Sequence, residues 1–154
     1  MQPYVIFDID NTLADISHRL HYLQSKKKDW NSFYEAMIND KPILEIFEVL
    51  NALINSSCYA VVFSTGRPEK YRDQTLCWLS RYLTDNFCIT GQELYMRKSG
   101  DYRPDYVVKE ELLDQIIDDN AGILPSLVFE DRQQVVDMYR QQGIRVMQVA
   151  DGKY

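Results

Sequence analysis

The sequence has no apolar run of about 18 residues, so no helix able to span a bilayer is expected. No charged start with an apolar signal core precedes the first strand, so no export signal is visible and the cytoplasm is the expected location. Cysteine is scarce: Cys58, Cys77 and Cys88 are odd in number and lack C-x-x-C spacing. That excludes a disulfide framework and a zinc ribbon, and the apolar neighbours of all three read as reduced core positions. Histidine is scarcer still. His18 and His21 stand three apart with no third ligand in view, which favours a structural or substrate-edge role over metal binding. Positive charge is also in deficit. A net charge of −6 argues against a broad electrostatic grip on nucleic acid, while leaving room for a local basic funnel. Internal repeats and low-complexity segments are absent as well.

What is present is the composition of an ordinary globular chain, 45% hydrophobic and 26% charged. Its 154 residues favour a single domain and bury about 70% of the unfolded surface. Tyr4-Val-Ile-Phe7 is a short unbroken apolar run, the mark of a strand buried on both faces. Residues 15–41 then read as two short helices, one around Ile16, Leu20 and Leu23, one from Asp29 to Met37, ended by the breaker Asn39-Asp-Lys-Pro42. A parallel crossover needs only one helix, supplied by Ile43–Ile54, so 15–41 is expected to be a small cap. Beyond it come a strand at Tyr59–Phe63, a helix at Tyr71–Leu83, strand candidates at Phe87–Ile89 and Glu93–Met96, and a helix with Asp105 as its expected cap. A strand at Leu124–Phe129, a helix at Gln133–Gln142 stopped by Gly143 and a strand at Ile144–Val149 complete the chain. This alternation predicts a Rossmann-like three-layer α/β fold with a mainly parallel sheet of about five strands.

In such sheets ligands sit at the carboxyl ends of the strands. Three expected strand ends carry polar chemistry there: Asp8 and Asp10, then Ser64-Thr65-Gly66-Arg67, then Glu130-Asp131. Two carboxylates that close are costly unless a cation or a shared proton relieves them, and oxygen ligands around a hard cation suit Mg²⁺. A hydroxyl followed by glycine can donate to a phosphoryl oxygen while the bare backbone comes close. Arg97, Lys98 and Arg103 share a polar loop, where arginines suit bidentate phosphate contacts. Lys109 lies near the start of a helix, where the dipole disfavours a cation unless an anion is near. Each feature has a bland counterpart: an Asx-turn at Asp10-Asn11, ordinary Thr-Gly turn chemistry, a solvated loop, a surface lysine. Their recurrence at one edge of the sheet favours an enzyme.

Asp8-Ile-Asp10-Asn-Thr12 resembles the D-x-D-x-T motif of the haloacid dehalogenase-like phosphohydrolases. Thr65, Lys109 and Glu130-Asp131 resemble that superfamily's remaining motifs, in order. The segment from Met96 to Leu112 and the helix after Asp131 are similar to the 3′-phosphatase domain of bacteriophage polynucleotide kinase/phosphatases. There is no G-x-x-x-x-G-K-[ST] loop, so no kinase half is expected, and Glu130 stands where the superfamily usually has aspartate.

The resemblance implies a Mg²⁺-dependent phosphatase acting through an aspartyl-phosphate. Asp8 is then the nucleophile and Asp10 the general acid/base. Thr65 and Lys109 hold phosphoryl oxygens, and Gly66, Arg67, Arg97 and Arg103 face the substrate. Asp8, the Asp10 carbonyl and Asp131 hold the metal, with Glu130 as a further candidate ligand. The implied substrates are 3′-phosphorylated DNA or RNA ends or nucleoside 3′-monophosphates, with a separate kinase or ligase as partner and no membrane. A phosphatase of small metabolites or 5′-nucleotides is the alternative within enzymes. A silent nucleic-acid-end binding module or adaptor is the alternative outside them.

Overall fold

The computed structural model describes residues 2–153. Its main sheet has five parallel strands in the order β5-β4-β1-β6-β7. These are β1 (Tyr4–Phe7), β4 (Ala60–Pro68), β5 (Leu94–Arg97), β6 (Leu127–Glu130) and β7 (Val146–Gln148). Two short antiparallel strands, β2 (Ala14–Asp15) and β3 (Lys41–Pro42), form a separate ribbon. The helices are α1 (Trp30–Glu35), α2 (Leu44–Ser56), α3 (Arg72–Ser80), α4 (Asp105–Asp119) and α5 (Gln133–Gln141).

The central strand explains the layers. Successive side chains of a strand point to opposite faces, so a fully apolar strand demands cover on both. Val5 and Phe7 join one core with Phe47 and Leu50 of α2 and Trp78 and Leu79 of α3. Tyr4 and Ile6 join the other, with Leu113 and Ile116 of α4 and Val135, Val136 and Tyr139 of α5. Phe7 also pairs with Phe129 on β6, their rings stacked at 4.3 Å. At its central strand the sheet is therefore anchored from both sides, and what lies just beyond Phe7 and Phe129 is held with it.

The segment 15–41, read from sequence as a cap, is closed at its base by the β2–β3 ribbon, where Ala14 pairs with Pro42 and Asp15 with Lys41. Its first helix is a 3₁₀ stretch, Ser17–Leu23, started by the Asp15 carboxylate accepting from Ser17 N–H. Its second is α1, capped by Asp29, which accepts from Ser32 N–H, and continued as 3₁₀ over Ala36–Asn39.

Four sequence expectations change. Cys58, Cys77 and Cys88 are all exposed and not core. Cys58 follows the end of α2, Cys77 faces away from the inward Trp78 and Leu79, and apolar sequence neighbours are no guide to spatial ones. Phe87–Ile89 is not a strand: β5 takes the place beside β4, and Phe87 and Ile89 only pack against the core. The strand expected to end at Phe63 runs on to Pro68, bulging between Thr65 and Pro68 as it follows β5. Asp105 does not cap α4; Pro104 holds that position and Asp105 is the first helical residue.

Helix α2 ends on Ser57 in the left-handed region, φ 54°, with its side chain exposed. Glycine takes that conformation without strain. Ser57→Gly should therefore raise the unfolding free energy, by about 0.5 kcal/mol on urea denaturation; a loss of stability would show that the turn is held by more than its backbone conformation.

Candidate active site

Asp8 follows β1 directly, and its N–H still donates to the Phe129 carbonyl at 3.0 Å. The chain then turns sharply: the N–H groups of Thr12, Leu13 and Ala14 converge on the Ile9 carbonyl, and Asn11 takes φ 61°. Asparagine tolerates this left-handed conformation. Its side chain donates to Asp131 Oδ2 at 2.9 Å, which ties the turn to the end of β6. The turn is what lets Asp8 and Asp10 line one cleft.

Lys109, one turn into α4, is buried and reaches Asp8 Oδ1 and Glu130 Oε2, each at 2.6 Å. Burial disfavours its charge, but Asp8, Glu130 and Asp105 outweigh that and hold its pKa well above the usual lysine value. Asp8, Glu130 and Asp131 bring carboxylate oxygens within 4.8 Å of one another. Burial, then mutual repulsion, pushes Asp8 up to about 7, while for Glu130 the opposing pull of Lys109 comes second to burial and the value is also about 7. Asp131 rises to about 6, again mainly through burial.

The oxygens of this cluster are not equally engaged. Glu130 spends Oε2 on Lys109 and Oε1 on the N–H groups of Asp131 and Arg132, at 3.2 and 3.1 Å. Asp8 Oδ2 and Asp131 Oδ1 are buried and meet no partner. One ammonium among three carboxylates leaves two negative charges unbalanced. Two free oxygens and a twofold charge deficit fit a hard divalent cation held by Asp8 and Asp131. Glu130, a candidate ligand by sequence, acts on this geometry as the anchor of Lys109.

Asp10 belongs to a second buried network. Its Oδ1 accepts from Arg19 Nη2 at 2.7 Å and from Arg67 Nε and Nη2 at 2.9 and 2.6 Å. Both guanidinium groups also bond Asp40, which His18 Nε2 approaches at 2.8 Å. Burial pushes the Asp10 carboxyl up, but the two guanidinium groups more than offset it and hold it well below the usual carboxylate range. Sequence reasoning puts Arg67 on the leaving-group side; here it is fully buried behind Asp10. Arg19 and Asp40 carry no sequence signal at all, since one lies on a helix and the other precedes a Lys-Pro turn. Only folding the insert back onto β4 joins them to Asp10.

The remaining predicted residues are placed as follows. Thr65 is fully buried, and its Oγ1 accepts from Arg67 N–H at 3.3 Å. Gly66 lines the cleft, but the room its missing Cβ leaves is taken by Asp105, whose Oδ1 would lie 2.3 Å from such an atom. Arg97 donates to the Gly66 carbonyl, to Asp105 and to the loop carbonyls of Asp101 and Arg103, so it braces the loop rather than presenting a free fork. Arg103 is paired with Asp101 and Glu111.

The cleft over Asp8 and Asp10 has a volume of about 710 Å³ and is walled by the insert, the end of β4 and the loop after β5. Two other clefts, of about 780 and 850 Å³, contain none of Asp8, Asp10 or Lys109. Chemistry rather than size therefore selects the site.

Two outcomes follow. Arg19→Met keeps bulk but removes a buried charge from Asp10 and Asp40, and should cost about 3 kcal/mol or more in urea unfolding; a loss under about 1 kcal/mol would count against a coupled network. Mg²⁺ at about a hundredfold excess over its Kd should stabilise the wild type by about 2.7 kcal/mol, or roughly 5–10 °C in Tm. Asp131→Asn should lose most of that shift; a wild-type Tm indifferent to Mg²⁺ and to chelator would remove the cation from the site.

Residues 2–154 match the family of the polynucleotide kinase PNKP phosphatase domain. A protein of Autographa californica nuclear polyhedrosis virus, described as a bifunctional polynucleotide kinase/RNA ligase, is 28% identical over 136 residues, covering 88% of this chain and 17% of its own length. A chain of the Pnkp1/Rnl/Hen1 RNA repair complex superposes with a TM-score of 0.78 at 27% identity, over 99% of this chain and 44% of that one. The present chain thus spans less than half of either relative. The class C acid phosphatase of Bacillus anthracis shares the fold, with a TM-score of 0.71 at 13% identity, 99% of this chain and 68% of that one being covered. With the sheet, the site and the family in agreement, the chain belongs to the PNKP phosphatase domain family and is a haloacid dehalogenase-like phosphatase domain.

Proposed function

We propose that this domain removes the 3′-phosphate from polynucleotide ends or nucleoside 3′-monophosphates, with Mg²⁺ as cofactor and an aspartyl-phosphate on Asp8. The observation that carries the reading is the state of Asp8: a buried carboxylate with Oδ1 held by Lys109 and Oδ2 unpartnered, in one carboxylate cluster with Asp131, whose Oδ1 is equally unpartnered. A cation bound by these two oxygens supplies positive charge that lets a phosphate dianion approach a carboxylate.

Asp8 attacks phosphorus as the ester bond to the sugar oxygen breaks, so one hard hydrolysis becomes two easier steps. In this scheme Lys109, held between Asp8 and Glu130, and Thr65, on β4, stabilise the charge that develops on the phosphoryl oxygens. Asp10 gives a proton to the leaving alkoxide and recovers one from the water that opens the acyl phosphate, which closes the proton cycle. Its two guanidinium partners favour the carboxylate form, the form that the second half requires. An arriving dianion offsets their charge and favours the protonated form required by the first half.

The choice of a 3′-phosphate is supported by the family and by relatives described as a polynucleotide kinase/RNA ligase and a member of an RNA repair complex. A separate kinase or ligase is the partner this implies. Three exposed thiols fit a reducing cytoplasm.

Asp8→Asn should lower turnover by about 10⁴-fold or more while leaving the urea midpoint near that of wild type. Near-normal turnover would end the covalent scheme. Phosphate release from a 3′-phosphorylated strand should exceed that from its 5′-phosphorylated counterpart. Equal rates, or faster release from small phosphate esters, would favour a general metabolite phosphatase.

A further inference from the structure

The cleft above Asp8 has a wall that the phosphoryl chemistry leaves unused. Trp30, at the start of α1, is 40% exposed, and Tyr102, in the loop after β5, is 88% exposed; both line this cleft. Trp30 is not a loose side chain. Its ring lies 5.9 Å from Tyr34 at 23° and 5.8 Å from Phe33 at 87°, so it is fixed as a shelf. Ammonium groups accompany the shelf. Lys28 Nζ stands over the Trp30 ring, 5.5 Å from its centroid, and Lys70, lining the same cleft, reaches Asn31 Oδ1 at 3.2 Å.

A rigid exposed indole with an ammonium over its face and a second nearby matches the two halves of a nucleotide, a π-face and a phosphodiester, once the flexible Lys28 side chain swings from the ring to the phosphate. An aliphatic phosphate ester would engage neither. A base inside a duplex is already stacked on both faces, whereas an unpaired 3′-terminal nucleotide can turn a free face to the indole. The cleft volume of about 710 Å³ lies within the about 300–1,000 Å³ usual for small-ligand sites. We propose that Trp30 is the stacking platform for the base of an unpaired 3′-terminal nucleotide, while Lys28 and Lys70 meet the phosphodiester on its 5′ side. This rests on the 3′-phosphatase reading and assigns which residues hold which part of the substrate.

The test compares two short strands alike but for their last residue, one ending in thymidine 3′-phosphate, the other in an abasic tetrahydrofuran 3′-phosphate. The readout is the ratio of their kcat/KM values. Wild type should prefer the base-bearing end. Trp30→Ala should lower that ratio by about 5- to 100-fold, the range of one base–aromatic stack, and Trp30→Phe should restore most of it. An unmoved ratio, or a phenylalanine variant no better than alanine, would overturn the platform. Lys28→Ala with Lys70→Ala should raise KM for the strand more than for thymidine 3′-monophosphate; equal effects would overturn the backbone contact. Binding gives a readout without turnover. Trp78 is fully buried, so quenching of exposed indole emission by a 3′-phosphorylated dinucleotide should be present in wild type and lost in Trp30→Phe. Quenching that persists in that variant counts against the platform. A wild type that cleaves an aryl phosphate but neither strand would instead sink the 3′-phosphatase reading itself, and this proposal with it.

Discussion

One buried ammonium holds the site together. Lys109 is the cation that bridges Asp8 at the end of β1 to Glu130 at the end of β6. Remove its charge, and buried carboxylates from two adjacent strands face each other in a medium that screens poorly. Keep it, and the cluster is still short of positive charge, a deficit that a divalent ion would fill and that an arriving phosphate dianion alone would deepen. The fold serves this balance. Apolar strands covered on both faces place Phe7 and Phe129 in contact, so the acids that follow them have little freedom to separate.

A second balance sits a few ångströms along the chain and is solved differently. Asp10 is met by two arginines, and those arginines are met by Asp40, so charge is matched within the protein. Asp40 is also held from the core, where Trp78 Nε1 donates to its carbonyl at 2.9 Å. The two aspartates of one short motif therefore have opposite surroundings. Asp8 is left with an unpartnered oxygen and a raised pKa, while Asp10 is saturated on one oxygen and held ionised. The loop after β5 is similarly self-contained: Arg97 and Arg103 hold its shape through Gly66, Asp101, Asp105 and Glu111, and leave Trp30, Tyr102, Lys28 and Lys70 to face what enters.

The legible part of the site was its chemistry-bearing edge. Asp8, Asp10, Thr65, Glu130 and Asp131 stand out because an apolar run that stops at an acid or hydroxyl marks a strand end, and strand ends of a parallel sheet share an edge; Lys109 stands out only as a cation near a helix start. Arg67 misled for the opposite reason: it has the look of a substrate contact beside Thr65-Gly66, yet a continued β4 turns it inward to Asp10. The three cysteines failed likewise, since their apolar sequence neighbours pack elsewhere.

The sequence by itself determined the alternation of buried strands and helices, the parallel sheet, and the edge at which carboxylates collect, because hydrophobic periodicity and strand-end chemistry are local properties. Tertiary structure alone decided which oxygen has a partner. Arg19 meets Asp10 and Asp40 only once the insert folds back, and Glu130 is taken by Lys109 only once α4 packs across β4 and β5 and against α5. Such choices depend on distances between residues 9 to 101 positions apart, and no spacing along the chain encodes them.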